Sequence, residues 1–68
     1  MKKIGIVTEY DNYVGEIETE NKEKYLLLEK DVCEEIKKDD YVIFDAETVM
    51  TTFEDRNVAR FVKKLNKF

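Results

Sequence analysis

The chain has 68 residues, of which 43% are hydrophobic and 41% charged, and its formal net charge at pH 7 is −4. This length predicts one domain with a small core, and the hydrophobic fraction is typical of a globular chain rather than a disordered one. The sequence contains no run of about 18 consecutive apolar residues, so no membrane span is predicted. The start, MKKIGIVTEY, lacks the apolar stretch of a secretory signal peptide.

Charge is unevenly distributed along the chain. Residues 9–55 hold all 16 acidic residues but only five of the 12 basic ones. The remaining basic residues lie near the two ends, and five of them follow residue 55. We therefore expect the body of the protein to repel phosphate and the C-terminal segment to attract it.

Residues 3–10 (KIGIVTEY) predict the first strand, because β-branched and aromatic side chains favour a pleated, half-buried surface. Ile4 and Ile6 fall on one face and Val7 on the other. Apolar residues on both faces indicate a strongly bent barrel strand. The pair Asp11-Asn12 is typical of the turn that follows.

A β-hairpin is predicted next. Residues 13–20 alternate between apolar and acidic side chains, and residues 24–29 form the returning strand. The alternation places Ile17 and Leu27 in the core. Gly15 indicates a position where a side chain would crowd the barrel or where the strand bends.

One or two short helical turns are predicted over residues 31–38 (DVCEEIKK). Their apolar residues have helical spacing, Asp31 is a candidate N-cap, and Glu34 loosely completes a capping box. Cys33 is expected to be a small buried apolar residue. Residues 41–47 (YVIFDAE) predict the fourth strand.

The C-terminal segment has two interpretations. Residues 57–63 can form a fifth strand, with Val58, Arg60 and Val62 on one face. The apolar residues also recur at helical spacing, which favours a helix: they are Val58, Phe61, Val62, Leu65 and Phe68. We favour the strand, because four strands would leave an open barrel edge. The prediction for residues 1–68 is thus one all-β domain, a five-stranded OB-like barrel with a short helical turn after strand 3.

Five segments resemble the cold-shock domain family in order and spacing. Residues 5–10 (GIVTEY) are similar to the family's G-x-V-x-W-F start, residues 14–17 (VGEI) to its F-G-F-I motif, and residues 25–28 (YLLL) to its V-F-V-H motif. Residues 38–44 (KDDYVIF) are similar to its E-G-x-x-V-x-F strand, and residues 56–59 (RNVA) to its closing A-x-N-V. The resemblance implies an OB-fold barrel that binds single-stranded nucleic acid, principally RNA.

The departures from that family concern its base-stacking residues. In the family, aromatic side chains on strands one to three stack on unpaired bases, which supplies about 1–3 kcal/mol per base. The corresponding positions of this chain hold no ring: they are Glu9, Val14, Glu16, Leu26 and Leu28. Tyr10 and Tyr13 are the remaining stacking candidates near that surface.

Two functions follow from these residues. The first is weak binding of single-stranded RNA or DNA through Tyr10, Tyr13 and the basic C-terminal residues, which are Arg56, Arg60, Lys63, Lys64 and Lys67. The second is a protein-interaction module, and within it an acidic inhibitor of a nucleic-acid-binding protein. That function would use Val14, Glu16, Leu26 and Leu28.

Catalysis is not predicted. The chain has no histidine, no glycine-rich phosphate loop and no metal-ligand spacing, so we expect no enzyme activity, no metal and no cofactor. The single Cys33 cannot form an internal disulfide, which favours a reducing, cytoplasmic location. The expected partner is therefore single-stranded nucleic acid or an unidentified protein, and not a membrane.

Overall fold

The computed structural model describes residues 2–50 and 52–65. These residues form five β-strands and, between the third and fourth, a single 3₁₀ turn at Glu29–Asp31. The strands are β1 (Lys2–Tyr10), β2 (Val14–Thr19), β3 (Lys24–Leu28), β4 (Tyr41–Met50) and β5 (Asp55–Lys64).

The strands close into a barrel in the order β1-β2-β3-β5-β4. All neighbouring pairs are antiparallel except β3 and β5, which run parallel and meet at Leu26 and Val58. A five-stranded closed barrel with one 3₁₀ turn after the third strand confirms the predicted all-β, OB-like architecture. Residues 57–63 are strand rather than helix, because only a strand can pair with both β3 and β4 and satisfy their edges, and Phe68 lies outside the described residues.

The core is built from the inward-facing residues of every strand. Val7, Ile17, Leu27, Phe44 and Val62 are all fully buried. The rings of Tyr25 and Phe44 pack with centroids 5.1 Å apart and planes at 57°, a tilted arrangement that aromatic pairs favour. The predicted hairpin is confirmed, since β2 pairs with β3 in a register that places Gly15 opposite Leu27 and Glu16 opposite Leu26.

Gly15 lies where the backbone of β1 comes close to β2. A Cβ at this position would overlap the carbonyl oxygen of Glu9 and lie 2.9 Å from the Cα of Tyr10. Both neighbours are backbone atoms, so they cannot rotate away. The predicted crowding at Gly15 is confirmed, and it coincides with a register shift in β1 between Val7 and Glu9.

The helical turn predicted over residues 31–38 is wrong in position. The 3₁₀ turn precedes that range, and residues 33–40 contain no helix. Asp31 does not cap a helix but accepts a hydrogen bond from Arg60 at 3.0 Å. Glu34 accepts the backbone N–H of Lys64 at 2.9 Å. Partners on β5, distant in sequence, therefore outcompete the local capping pattern.

Cys33 is exposed, so the expectation that it is buried is wrong. Its backbone N–H donates to the carbonyl of Val62 at 2.9 Å, which ties the segment to β5 while the side chain faces outward. Ile36 supplies the buried apolar side chain of this segment instead.

The β4–β5 hairpin is longer than predicted. β4 pairs with β1 only as far as Asp45 but continues to Met50, and its last residues pair only with β5. The described residues consequently extend over 42 × 24 × 17 Å. Met50 and Phe53 are strongly exposed near the end of this hairpin.

Candidate functional site

The five positions without stacking rings form one continuous surface on the outside of the barrel. We call this the β1–β3 face, and it consists of Glu9, Val14, Glu16, Leu26 and Leu28. The strand register places Glu9 opposite Glu16, Glu16 opposite Leu26, and Val14 opposite Leu28. The predicted partner-binding residues are therefore brought together. All of them except Leu28 border an open groove of about 620 Å³ that Tyr10 and Lys38 also line.

The β1–β3 face is acidic at its centre. The Glu16 carboxylate accepts a hydrogen bond from the Thr8 hydroxyl at 3.2 Å. Lys24 Nζ is 4.0 Å from the same carboxylate, and both side chains are substantially exposed, so this pair contributes little. Glu9 is exposed and forms no ion pair among residues 2–50 and 52–65. Two carboxylates thus lie side by side at positions that the cold-shock resemblance aligns with aromatic rings.

Tyr10 and Tyr13 lie at one end of this face but are held differently. Tyr10 is half-buried and packs against the core. Burial is the largest cause of the raised pKa of its phenol, and the nearby carboxylates of Glu29 and Asp11 raise it further. Tyr13 is 71% exposed in the loop between β1 and β2. Only Tyr13 offers most of its ring to a ligand.

The loop that carries Tyr13 is fixed by Asp11. The Asp11 carboxylate accepts the backbone N–H groups of Tyr13 and Val14, each at 2.9 Å. These two hydrogen bonds stabilise the charged form and lower the pKa of the Asp11 carboxyl, with the bond from Val14 the larger cause. Asn12 adopts a positive φ of 76°, which asparagine tolerates better than most residues.

Most of the predicted basic residues of β5 already have acidic partners. Arg60 donates to Asp31 at 3.0 Å and to Glu47 at 3.2 Å, and the carboxylates of Glu47 and Asp31 raise its pKa. Lys64 Nζ lies 3.8 Å from Asp40.

The other two basic residues of β5 differ from each other. Arg56 lies 3.4 Å from Glu54. Lys63 is exposed and has no ion pair within the described part of the chain. The cations are therefore brought onto one strand, but three of the four are neutralised there. Lys67 lies outside the described residues.

A second outward surface was not singled out from the sequence. Ile4 and Ile6 on β1 lie opposite Ile43 and Tyr41 on β4, which gives a block of four large apolar side chains outside the barrel. Ile4 is 52% exposed and Tyr41 is 41% exposed. The apolar residues on both faces of the first strand are the signal in the sequence that corresponds to this surface, and strand bending alone does not account for them.

Nothing in residues 2–50 and 52–65 forms a cluster of three side chains able to hold a metal ion. Within the same residues, no helix has the length and apolar character needed to cross a membrane.

Comparison with protein-family models yields no match, and no curated protein matches this sequence. The cold-shock resemblance therefore stays a prediction, while the OB-like barrel rests on the strand order itself.

Proposed function

We propose that this protein is a non-enzymatic binding module whose β1–β3 face takes a basic, partly apolar segment of another protein. The observation that carries the proposal is the pairing of Glu9 with Glu16, with Leu26 next in the same row. Adjacent carboxylates favour lysine or arginine and repel phosphate, and the flanking leucines offer apolar contact. A cytoplasmic location, which the single cysteine predicts, belongs to this proposal.

An acidic inhibitor of a nucleic-acid-binding protein is the narrower form of this function. Carboxylates spaced along a strand can occupy the cations with which such a protein binds phosphates. Glu16 and Glu18 are separated by one residue on β2, and the first lies within the β1–β3 face. The groove beside them is open rather than enclosed, which suits an extended peptide.

The test is a titration of ¹⁵N-labelled protein with a peptide of alternating lysine and leucine, followed by NMR. We expect amide shifts concentrated on the β1–β3 face, and we expect the double variant Glu9→Gln/Glu16→Gln to weaken binding. The matched control is Glu35→Gln/Asp55→Asn, which changes the net charge equally at two exposed positions away from the face. Equal weakening in both variants would show a nonspecific charge effect and would contradict the proposal.

Single-stranded nucleic-acid binding is a second candidate, and the OB-like strand order together with the exposed Tyr13 is what favours it. Such binding would be mainly electrostatic, because the acidic face offers no row of rings. Each phosphate contact on a single strand contributes about 0.7 to the slope of log affinity against log salt. We expect Lys63→Glu to weaken it, since Lys63 is the cation of β5 that has no acidic partner among residues 2–50 and 52–65. The test is a titration with a mixed-sequence single-stranded oligonucleotide at low salt. Amide shifts with the oligonucleotide, together with no shifts on addition of the lysine-leucine peptide, would favour this candidate.

A further inference from the structure

We infer that the outer surface of β1 and β4 is a self-complementary interface through which two copies of this chain associate. This surface, called here the β1–β4 face, is the block of Ile4, Ile6, Tyr41 and Ile43. It is distinct from the β1–β3 face, so the inference does not depend on the proposed function.

The β1–β4 face departs from the pattern of a solvated antiparallel sheet. Such a sheet alternates between apolar residues inside and polar residues outside. Here Val42 and Phe44 fill the core, yet Tyr41 and Ile43 on the same strand are also apolar. Their partners across the strand pair, Ile6 and Ile4, repeat this feature. Contiguous apolar surface with a polar rim marks interaction sites more often than isolated exposed residues do.

The rim carries opposite charges on its two sides. On the β5 side, Lys63 lies directly opposite Ile43. On the β2 side, Glu18 lies opposite Ile6, and Glu20 lines the same grooves as Ile4. Lys22 follows in the turn after β2, and Lys24 lies opposite Glu18 on β3, one strand farther from the apolar block than Glu18.

None of Lys63, Glu18 and Glu20 forms an ion pair within residues 2–50 and 52–65. These three side chains are therefore available to a second molecule. A cation on one side of the β1–β4 face and carboxylates on the other are complementary to the same face of a second copy of this chain, which is why we infer that a second copy binds there.

A two-fold axis parallel to the strands gives the complementary arrangement. It exchanges the β5 side of one copy with the β2 side of the other, so Lys63 faces Glu18 and Glu20 of the second copy, and the reverse contact forms as well. The four apolar side chains then meet their own counterparts. Two-fold interfaces of this isologous kind are the commonest in soluble homo-oligomers. Because the barrel surface is convex, we expect a small contact, in the class below about 1,200 Å², and weak, reversible association.

Sedimentation velocity over a wide range of protein concentration provides the first measurement. The wild type should shift from monomer towards dimer as concentration rises, and Ile4→Ser should remain monomeric. Ile4 is half-exposed, so this variant should keep its fold, which circular dichroism would check. Met50→Ser at the β4–β5 hairpin is the matched control, because it removes an exposed apolar side chain elsewhere, and it should associate as the wild type does.

A charge exchange provides the decisive measurement and does not depend on apolar substitutions. Lys63→Glu places like charges together at both junctions of the dimer, and Glu18→Lys/Glu20→Lys does the same with the opposite sign. Each variant alone should be monomeric, and an equimolar mixture of the two should associate, since every junction is then complementary. A wild type that is monomeric throughout, a mixture that does not associate, or a dimer lost in Met50→Ser would overturn the inference. Association of the mixture at the wild-type level would establish it.

Discussion

Replacing Leu27 with alanine removes a side chain that lies wholly inside the barrel. Leu27 is 0% exposed, and the residue opposite it on β2 is Gly15, which has no side chain to fill the space. At about 0.8 kcal/mol per carbon group, the loss of three groups costs about 2.4 kcal/mol before any cavity is counted. The Gly15 backbone is already in close contact with Glu9 and Tyr10, so we expect little collapse. The total cost should therefore fall in the upper part of the range of about 2–5 kcal/mol.

That cost is large beside the whole stability of the domain. At typical values per residue, a chain of this size has a free energy of unfolding of about 3–10 kcal/mol. Urea denaturation followed by circular dichroism measures the difference. Leu28→Ala is the matched control, because Leu28 is the next residue of β3 and lies half-buried on the outer face, so we expect it to cost about 1 kcal/mol. A Leu27→Ala variant as stable as the wild type, or less affected than Leu28→Ala, would refute the assignment of Leu27 to the core.

Two further predictions concern the same end of the barrel. Gly15→Val should lower the melting temperature although valine favours strands, because its Cβ would overlap the Glu9 backbone, and overpacking of this kind costs about 1–3 kcal/mol; a variant of higher melting temperature would show that the close approach is unimportant. The pKa of Asp11 is lower in the native state than its ordinary value of 3.8, so the native state binds the proton less tightly than the unfolded state does. Asp11 therefore stabilises the fold above pH 3.8, and this contribution is lost as the pH falls below 3.8 towards the pKa of the native state. Asp11→Asn keeps an acceptor oxygen but cannot titrate, so its melting temperature should fall less than that of the wild type between about pH 6 and about pH 3.

The fold was largely accessible from the sequence because alternation of apolar residues is a local signal. Side chains along a strand alternate between the two faces of the sheet, so the apolar pattern of the hairpin places Ile17 and Leu27 on the same, inner face and thereby sets the register. The strand nature of β5 followed from a non-local argument about open edges, although its apolar spacing alone favoured a helix. The position of the helical turn was wrong, because Arg60 and the Lys64 backbone bind Asp31 and Glu34 from across the barrel.

The surface was predicted less completely, because the charge of a surface depends on which residues meet in space. Counting basic residues after position 55 predicted a concentrated positive segment. In the fold, Arg60 lies between Asp31 and Glu47, and only Lys63 lacks an acidic partner on β5 within the described residues. The β1–β4 face needed the register of two strands whose paired residues in this face are 35 or more positions apart in sequence, which no local pattern contains.

Placing aromatic rings on the β1–β3 face tests whether its positions can form a base-stacking surface. The triple variant Glu9→Trp/Glu16→Phe/Leu26→Phe places three rings in one row of the sheet, because these positions are neighbours in the strand register. The side chains point outward, so the core should be unchanged and the melting temperature should stay near that of the wild type. If one or two bases stack at about 1–3 kcal/mol each, affinity for a mixed-sequence single strand should rise by at least about fivefold.

Two matched variants separate ring stacking from the loss of negative charge. Glu9→Gln/Glu16→Gln removes the same two carboxylates without adding rings, and it should raise affinity only slightly and in a salt-dependent way. The same three aromatic residues placed at Glu35, Asp55 and Asn21, which are exposed and not in one row, should add no affinity. An oligonucleotide bound no better by the triple variant than by the glutamine variant would mean that these positions do not form a stacking surface. The alignment of Glu9, Glu16 and Leu26 with the aromatic positions of the cold-shock family would then be wrong.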